Sequence, residues 1–265
     1  MSRSTDTGSD EARLAYDSMY TAIANSSVYR QITRRAFPDL PEWLIPYSVS
    51  PSLALLERIA QALNIGPNSA FIDLACGLGG PGLWVCERTG ASLVGVDFSE
   101  VGVGAATAFA RQRGIARASF VNADATHTGL PANTFDGLMS IDAIQFMDAQ
   151  TVATEIARVL RPGGIAAFTT MEALVDDLPV ATVAKDYRAV FRAAGFSICD
   201  YEQISADGLE RNNALYESIE FHRDALLEEI GQAATPLLEE ARDRLERAKK
   251  PPRVRKIFLA VQTPA

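Results

Sequence analysis

Apolar positions change rhythm twice along this chain, and each change predicts a different kind of structure. Behind ten polar residues expected to lie outside the fold, Leu14, Met19, Ile23, Val28 and Ile32 recur at irregular helical spacing until Pro38. Residues 37–51 carry Pro38, Pro41, Pro46 and Pro51 with Phe37, Trp43 and Tyr47, which reads as an ordered loop. Leu53, Leu56, Ile59, Ala60 and Leu63 then mark a helix that begins at Pro51 and stops at Gly66-Pro67. From residue 70 short apolar runs alternate with helical stretches, the pattern of a parallel sheet with crossover helices. The runs are 70–74, 92–96, 119–122, 137–141 and 165–169. The helices between them end near Arg88, Arg113 and Leu160, the last stopped by Arg161-Pro162-Gly163-Gly164. A helix over about 180–194, closed by Gly195, precedes two more strands at 197–204 and 254–261.

Between those last strands, 207–252 is too long for a structureless connection in a compact domain. Leu215, Ile219, His222, Leu226 and Ile230 form one helical stripe, and Leu237, Leu238, Ala241 and Leu245 form another. Two inserted helices are therefore expected, as a cover over the functional edge of the sheet. The architecture this predicts is α/β, with helices on both faces of the sheet.

Composition narrows the function. The 265 residues, 48% of them hydrophobic, suffice for one large α/β domain or two modest ones. A net charge of -8 argues against capture of a nucleic-acid backbone. No apolar run approaches the roughly 18 residues that cross a bilayer, and the opening residues lack an export pattern. Cys76, Cys86 and Cys199 are odd in number and lack metal-ligand spacing, so neither a disulfide framework nor a metal site is expected. The expected location is a reducing cytoplasm; nothing fixes monomer or homodimer.

The chemistry begins at the turn after the first strand, where 71–82 places small residues between a buried strand and a helix. Gly77, Gly79 and Gly82 have the spacing of a dinucleotide fingerprint, a weak signal by itself. Asp73, at the strand end just before the turn, tips the balance: its carboxylate would repel a pyrophosphate but would stabilise a cationic ligand. An ammonium and a sulfonium are what S-adenosyl-L-methionine presents. Small residues at 75, 77 and 79 let the backbone approach its methionine part. Asp97 ends the second run, placed to accept both ribose hydroxyl protons, and Phe98 offers a face for adenine. Asp124, past the third run, is placed for the adenine amino group. Each acid alone is also explained as a turn or cap residue; three at successive strand ends form a specific set.

These residues resemble the motifs of class I methyltransferases over roughly residues 70–205. Residues 72–79 look like the first motif, with Ala75 replacing a common glycine, 95–99 the second, 122–125 the third, and 158–164 the turn before the fifth strand. The strings 74–84 and 94–101 are similar to small-molecule methyltransferases of antibiotic-producing actinobacteria. The resemblance implies a Rossmann-like seven-stranded sheet whose last strand is antiparallel, and a small-molecule acceptor in secondary metabolism. It implies a cofactor site of Asp73, Ala75, Cys76, Gly77, Gly79, Asp97, Phe98, Ser99, Asp124, Ala125 and Ile141, in which Cys76 also reads as packing. It further implies that an N-terminal segment closes over the cofactor, carrying Tyr20 and Ser48 into the site. The expected organisation is 1–66 as this closing segment, 67–206 as the cofactor-binding core, 207–252 as the substrate cover and 253–265 as the final core strand.

Methyl transfer from a sulfonium needs alignment, desolvation and, for a protonated nucleophile, a base. Asp142 and Gln145 follow the fourth run, where the family faces the transferable methyl, although Asp142 also reads as a helix cap. This segment lacks the Asp/Asn-Pro-Pro-aromatic string of base and amide methyltransferases. His222, on the stripe of the inserted helix, and Glu172, after the fifth strand, are further base candidates. His222 also reads as a core histidine, while His127 sits where it would line the adenine side. Two competing functions remain: a sulfonium-binding protein that is a cyclase or regulator, and a nicotinamide-dependent oxidoreductase, which Asp73 and the Arg-Pro-Gly-Gly turn disfavour.

Overall fold

Strand positions follow the apolar runs closely. A computed structural model describes residues 7–45, 52–178, 183–204 and 206–265. Its strands are β1 (Ala70–Leu74), β2 (Ser92–Asp97), β3 (Ala118–Asn122), β4 (Phe135–Ile141), β5 (Leu160–Ala173), β6 (Ser197–Gln203) and β7 (Val254–Gln262). They form a seven-stranded sheet of order β3-β2-β1-β4-β5-β7-β6. β1 to β5 pair in parallel, and β7 runs antiparallel to both β5 and β6. This is the reversal the resemblance implied. β5 is longer than its apolar run because its register with β4 jumps from Phe135↔Leu160 to Gly137↔Ile165, so 161–164 loops out between two paired stretches.

Alternation along the strands divides the core in two. Phe71, Met139, Ala167 and Phe258 belong to one cluster; their neighbours Ile72, Leu138, Phe168 and Leu259 belong to the other. Helices α3 (Leu53–Leu63), α4 (Gly80–Thr89) and α5 (Glu100–Gln112) cover the first face, and α6 (Ala149–Val159) and α7 (Tyr187–Ala193) the second. Ser52 caps α3 by accepting from Leu55 N at 3.2 Å. The helix expected over 180–194 starts only at Tyr187, because Asp186 caps it there by accepting from Arg188 N at 2.9 Å. Residues 179–182 lie outside the described set.

The first face also carries a helical layer built from both ends of the chain. α1 (Thr7–Asn25) and α2 (Ser27–Ala36) pack against α8 (Ala206–Phe221), α9 (Arg223–Ile230) and α10 (Thr235–Ala248). α1 begins within the polar stretch expected to stay outside the fold. The late insertion forms three helices, not two. The stripe from Leu215 to Ile230 breaks at His222, and Gly231, at φ 58° and ψ -138°, ends the second helix. Among the described residues no helix is long and apolar enough to cross a membrane.

A carboxylate joins the two halves of this layer. The orphan N–H groups at the start of α2 attract anions. Glu229 of α9 accepts from Ser27 N at 2.7 Å, Val28 N at 3.1 Å, the Ser26 hydroxyl at 2.5 Å and the Ser27 hydroxyl. Burial opposes its ionisation, but these hydrogen bonds win and hold it at about 2, below the usual glutamate range. Because the folded value is depressed, the contribution is complete above the unfolded glutamate value and is lost as pH falls toward about 2. Glu229→Gln is expected to cost about 1 kcal/mol near pH 7, or about 2–4 °C in Tm. Thermal melts should show the gap to wild type closing between about pH 4.5 and pH 2.5.

Candidate active site

Turning the chain sharply from β1 into α4 requires left-handed backbone, and the structure supplies it at alternate residues. Ala75, Gly77 and Gly79 have φ of 59°, 52° and 78°. At Ala75 this costs an L-residue roughly 1–2 kcal/mol, which the rest of the turn must offset. Gly82, one turn into α4, faces Asp73: a Cβ there would lie 2.5 Å from Asp73 Oδ2.

Two acids lie beneath this turn. Asp73 is 3% exposed and Asp97 2%, and among the described residues neither is in an ion pair. Asp97 Oδ2 accepts from Gly77 N at 2.7 Å and Oδ1 from Ser99 N at 2.9 Å. Burial raises its pKa, against the pull of those two N–H groups. Among the described residues Asp73 Oδ2 is buried with no hydrogen-bond partner within reach. Burial first, then the neighbouring Asp97, pushes Asp73 up to about 7, against a weaker opposing pull from the Gly82 N–H. Both acids also help burial keep the Cys76 thiol protonated, and its sulfur packs against Gly95.

α1 lies across the same edge. Ser99 Oγ accepts from Gly102 N at 2.9 Å, capping α5, and donates to Asp17. Tyr20 is buried with its hydroxyl against Gly77. Tyr16 meets Phe98 edge-on with ring centroids 5.7 Å apart. Asp124 is exposed and accepts at Oδ1 from Thr126 N and Oγ1, both at 2.7 Å; Ala125 is buried beside it. His127 is exposed on the same turn, its Nδ1 3.0 Å from Thr126 Oγ1. Ser48 lies outside the described residues.

Further along the edge, Asp142 follows β4 in left-handed backbone, at φ 53°. Its N–H donates to Thr169 O at 3.0 Å, Thr169 Oγ1 donates to its Oδ1 at 2.7 Å, and Lys256 Nζ lies 2.5 Å from its Oδ2. Gln145 is buried and bridges the Asp142 carbonyl, at 2.5 Å, to the Thr170 hydroxyl, at 3.0 Å. Ile141, just before Asp142, packs half-buried against the first core cluster. Asp73, Asp97 and Asp142 thus share one edge of the sheet.

The other two base candidates are placed elsewhere. Strand alternation puts Glu172 on the face of Phe168, under α7 and away from the α1–α10 layer. There it is wholly buried, accepting from Tyr187 N, Tyr201 OH and the Arg255 guanidinium. His222 closes the break before α9, with Nδ1 2.8 Å from Ser218 O and its ring 5.0 Å from that of Phe221. Sequence reading missed Asp17, Thr169 and Lys256. A lysine beside the apolar run Ile257–Val261 was the available signal for the last.

Comparison with known proteins agrees with this geometry. A family model described as a methyltransferase domain matches residues 72–168. Methyltransferase GfsG of Streptomyces halstedii is 27% identical over 212 residues, covering 72% of this chain and 75% of that protein. The chain thus carries a methyltransferase domain over residues 72–168. It is 30% identical over 171 residues to sterol 24-C-methyltransferase ERG6B of Gibberella zeae, covering 56% of this chain and only 44% of that protein's length. Among solved structures, the [4+2]-cyclase SpnF superposes with a TM-score of 0.70 at 25% identity, covering 80% of this chain and 81% of that one.

Two substitutions test the buried acid. A raised folded pKa stabilises below the unfolded aspartate value, and that stability is lost as pH rises through about 7. Asp73→Asn should therefore raise the Tm of the ligand-free protein near pH 8 and leave it unchanged near pH 4. Gly82→Ala, which drives a Cβ into the carboxylate, should lower Tm by several degrees at both pH values.

Proposed function

We propose that the protein transfers a methyl group from S-adenosylmethionine to a small-molecule acceptor in secondary metabolism. One observation carries this reading: a buried carboxylate oxygen without a partner, next to a second buried acid, beside a left-handed turn that brings backbone N–H groups close. Such a pair suits a positively charged nucleoside and opposes a pyrophosphate. When bound, S-adenosylmethionine supplies a methyl group on an already activated sulfonium.

The chain's own residues provide the rest. Asp73 Oδ2 takes the ammonium group. Each Asp97 oxygen retains a lone pair beyond its backbone hydrogen bond, enough for two ribose hydroxyls. Phe98 offers a face to adenine and Asp124 Oδ2 an acceptor to its amino group. Tyr20 and the rest of α1 exclude water from the turn. Asp142 orients the acceptor and takes its proton as the new bond to the methyl carbon forms. The acceptor proton becomes strongly acidic at that moment, so a carboxylate is a sufficient base. Thr169 and Lys256 fix that carboxylate's direction, and Gln145 fixes the backbone beneath it. Glu172 and His222 serve the framework: Glu172 anchors β7 and α7 to β5, and His222 joins α8 to α9.

The likeness to SpnF supports a second reading, a cyclase that binds the same nucleoside without consuming it. Incubation with trideuteriomethyl-labelled S-adenosylmethionine and a panel of hydroxylated acceptors separates the two by mass. Methyl transfer should appear, and Asp142→Asn should lower kcat by about 100-fold or more with donor affinity unchanged. An unlabelled isomer of the acceptor would favour the cyclase. Equal kcat in the variant would remove Asp142 from the chemistry.

A further inference from the structure

Strand alternation alone would put Asp142 on the wrong side of the sheet. Along β4, Leu138 belongs to the core of the second face and Met139 to that of the first, against which Ile141 also packs. One more extended residue would send the Asp142 side chain to the second face, with Leu138 and Ser140. Its carboxylate is found among first-face residues instead. Thr169, which alternates with Phe168 and so faces the same way as Ala167, donates its hydroxyl to Oδ1 at 2.7 Å. Lys256, two residues before Phe258, donates to Oδ2 at 2.5 Å. Left-handed backbone at Asp142, φ 53°, makes the difference. It turns the side chain back to the face that carries the α1–α10 layer, while the chain moves on to the second face, where Ile144 is buried.

A residue other than glycine rarely adopts that conformation and keeps it only where its surroundings over-determine it. Two dihedrals must be held, and the peptide group on each side of them is fixed by its own hydrogen bond. The preceding peptide donates its N–H to Thr169 O at 3.0 Å. The following peptide accepts at its C=O from Gln145 Nε2 at 2.5 Å. That second bond needs the Gln145 amide turned one way, because a flipped amide would set Oε1 against the carbonyl oxygen. Thr170, wholly buried, selects the orientation: its hydroxyl donates to Gln145 Oε1 at 3.0 Å. Thr169 and Thr170 are neighbours on β5 that point to opposite faces, and both reach Asp142, the first directly and the second through Gln145.

We infer that Thr170 is a positioning residue for the transfer reaction. From the far face of the sheet, through the Gln145 amide, it holds Asp142 in the conformation that carries the carboxylate to the acceptor side. The inference rests on the proposed role of Asp142 and requires no contact between Thr170 and substrate. Threonine suits this position because its branched side chain fits a strand while its hydroxyl supplies the donor. Valine has the same shape without the donor. It would leave Gln145 Oε1 without the Thr170 hydroxyl, free the amide to turn, and release the peptide that follows Asp142.

The test combines kinetics and crystallography on the full chain carrying Thr170→Val, Thr170→Ala or Thr170→Ser. The Val and Ala variants should lose about 10-fold or more in kcat, as a displaced base does, with S-adenosylhomocysteine affinity within about twofold of wild type. Thr170→Ser, which restores the hydroxyl, should recover most of that loss. Placed on top of Asp142→Asn, Thr170→Val should cost little more, since both changes remove the same base. A crystal structure of Thr170→Val should show Asp142 out of the left-handed region and its carboxylate away from Lys256. Unchanged kcat without the hydroxyl, equal impairment in Thr170→Ser, or the full loss repeated in the Asp142→Asn background overturns the inference. So does a Thr170→Val structure with Asp142 still left-handed. If the wild-type protein transfers no methyl group, the structures still decide: a displaced Asp142 upholds the hold of Thr170 on it and removes only the transfer reading.

Discussion

Two carboxylates buried side by side, with no cation among the described residues to pair them, set the terms for the rest of this molecule. Asp73 and Asp97 end adjacent parallel strands, so their separation is fixed by the sheet, and the left-handed turn from Ala75 to Gly79 closes over them. Asp97 is partly compensated by the N–H groups of Gly77 and Ser99, but Asp73 Oδ2 is left without a partner. A fold tolerates such a group when something outside the chain completes it. The rigid, two-faced sheet core provides the stability that this unfavourable placement removes.

The helical layer depends on the same edge. α1 is fastened there by Ser99–Asp17 and by Tyr20 against Gly77, and its continuation α2 is fastened to the late insertion by Glu229. Segments more than 200 residues apart are thus joined by one carboxylate at a helix N-terminus, at a separation of 203 for Ser26 and Glu229. Through that link α1, at the turn, and α10 belong to one helical layer.

Most of the sheet was legible from its short apolar runs between helical stretches, and the acids at its edge from their position after each run. What such runs cannot say is which face of the sheet lies under the cover. Glu172 and Lys256 carry opposite lessons for that reason: one was a base candidate and lies under α7, the other drew no notice within the last strand and holds Asp142. The break at His222 was equally hidden, since the apolar stripe continues across it at unbroken helical spacing while the backbone departs from it.

The central claim is that an acid edge waits for a cationic nucleoside, and its most direct test is the pH dependence of that binding. Asp73 is half protonated at about 7 in the ligand-free protein, and binding a cation requires its carboxylate. Titration calorimetry with S-adenosylmethionine should show affinity rising nearly tenfold from about pH 6 to pH 7.5, with a proton released on binding at the lower pH. Binding that is absent, or present with neither pH dependence nor proton release, would contradict the account.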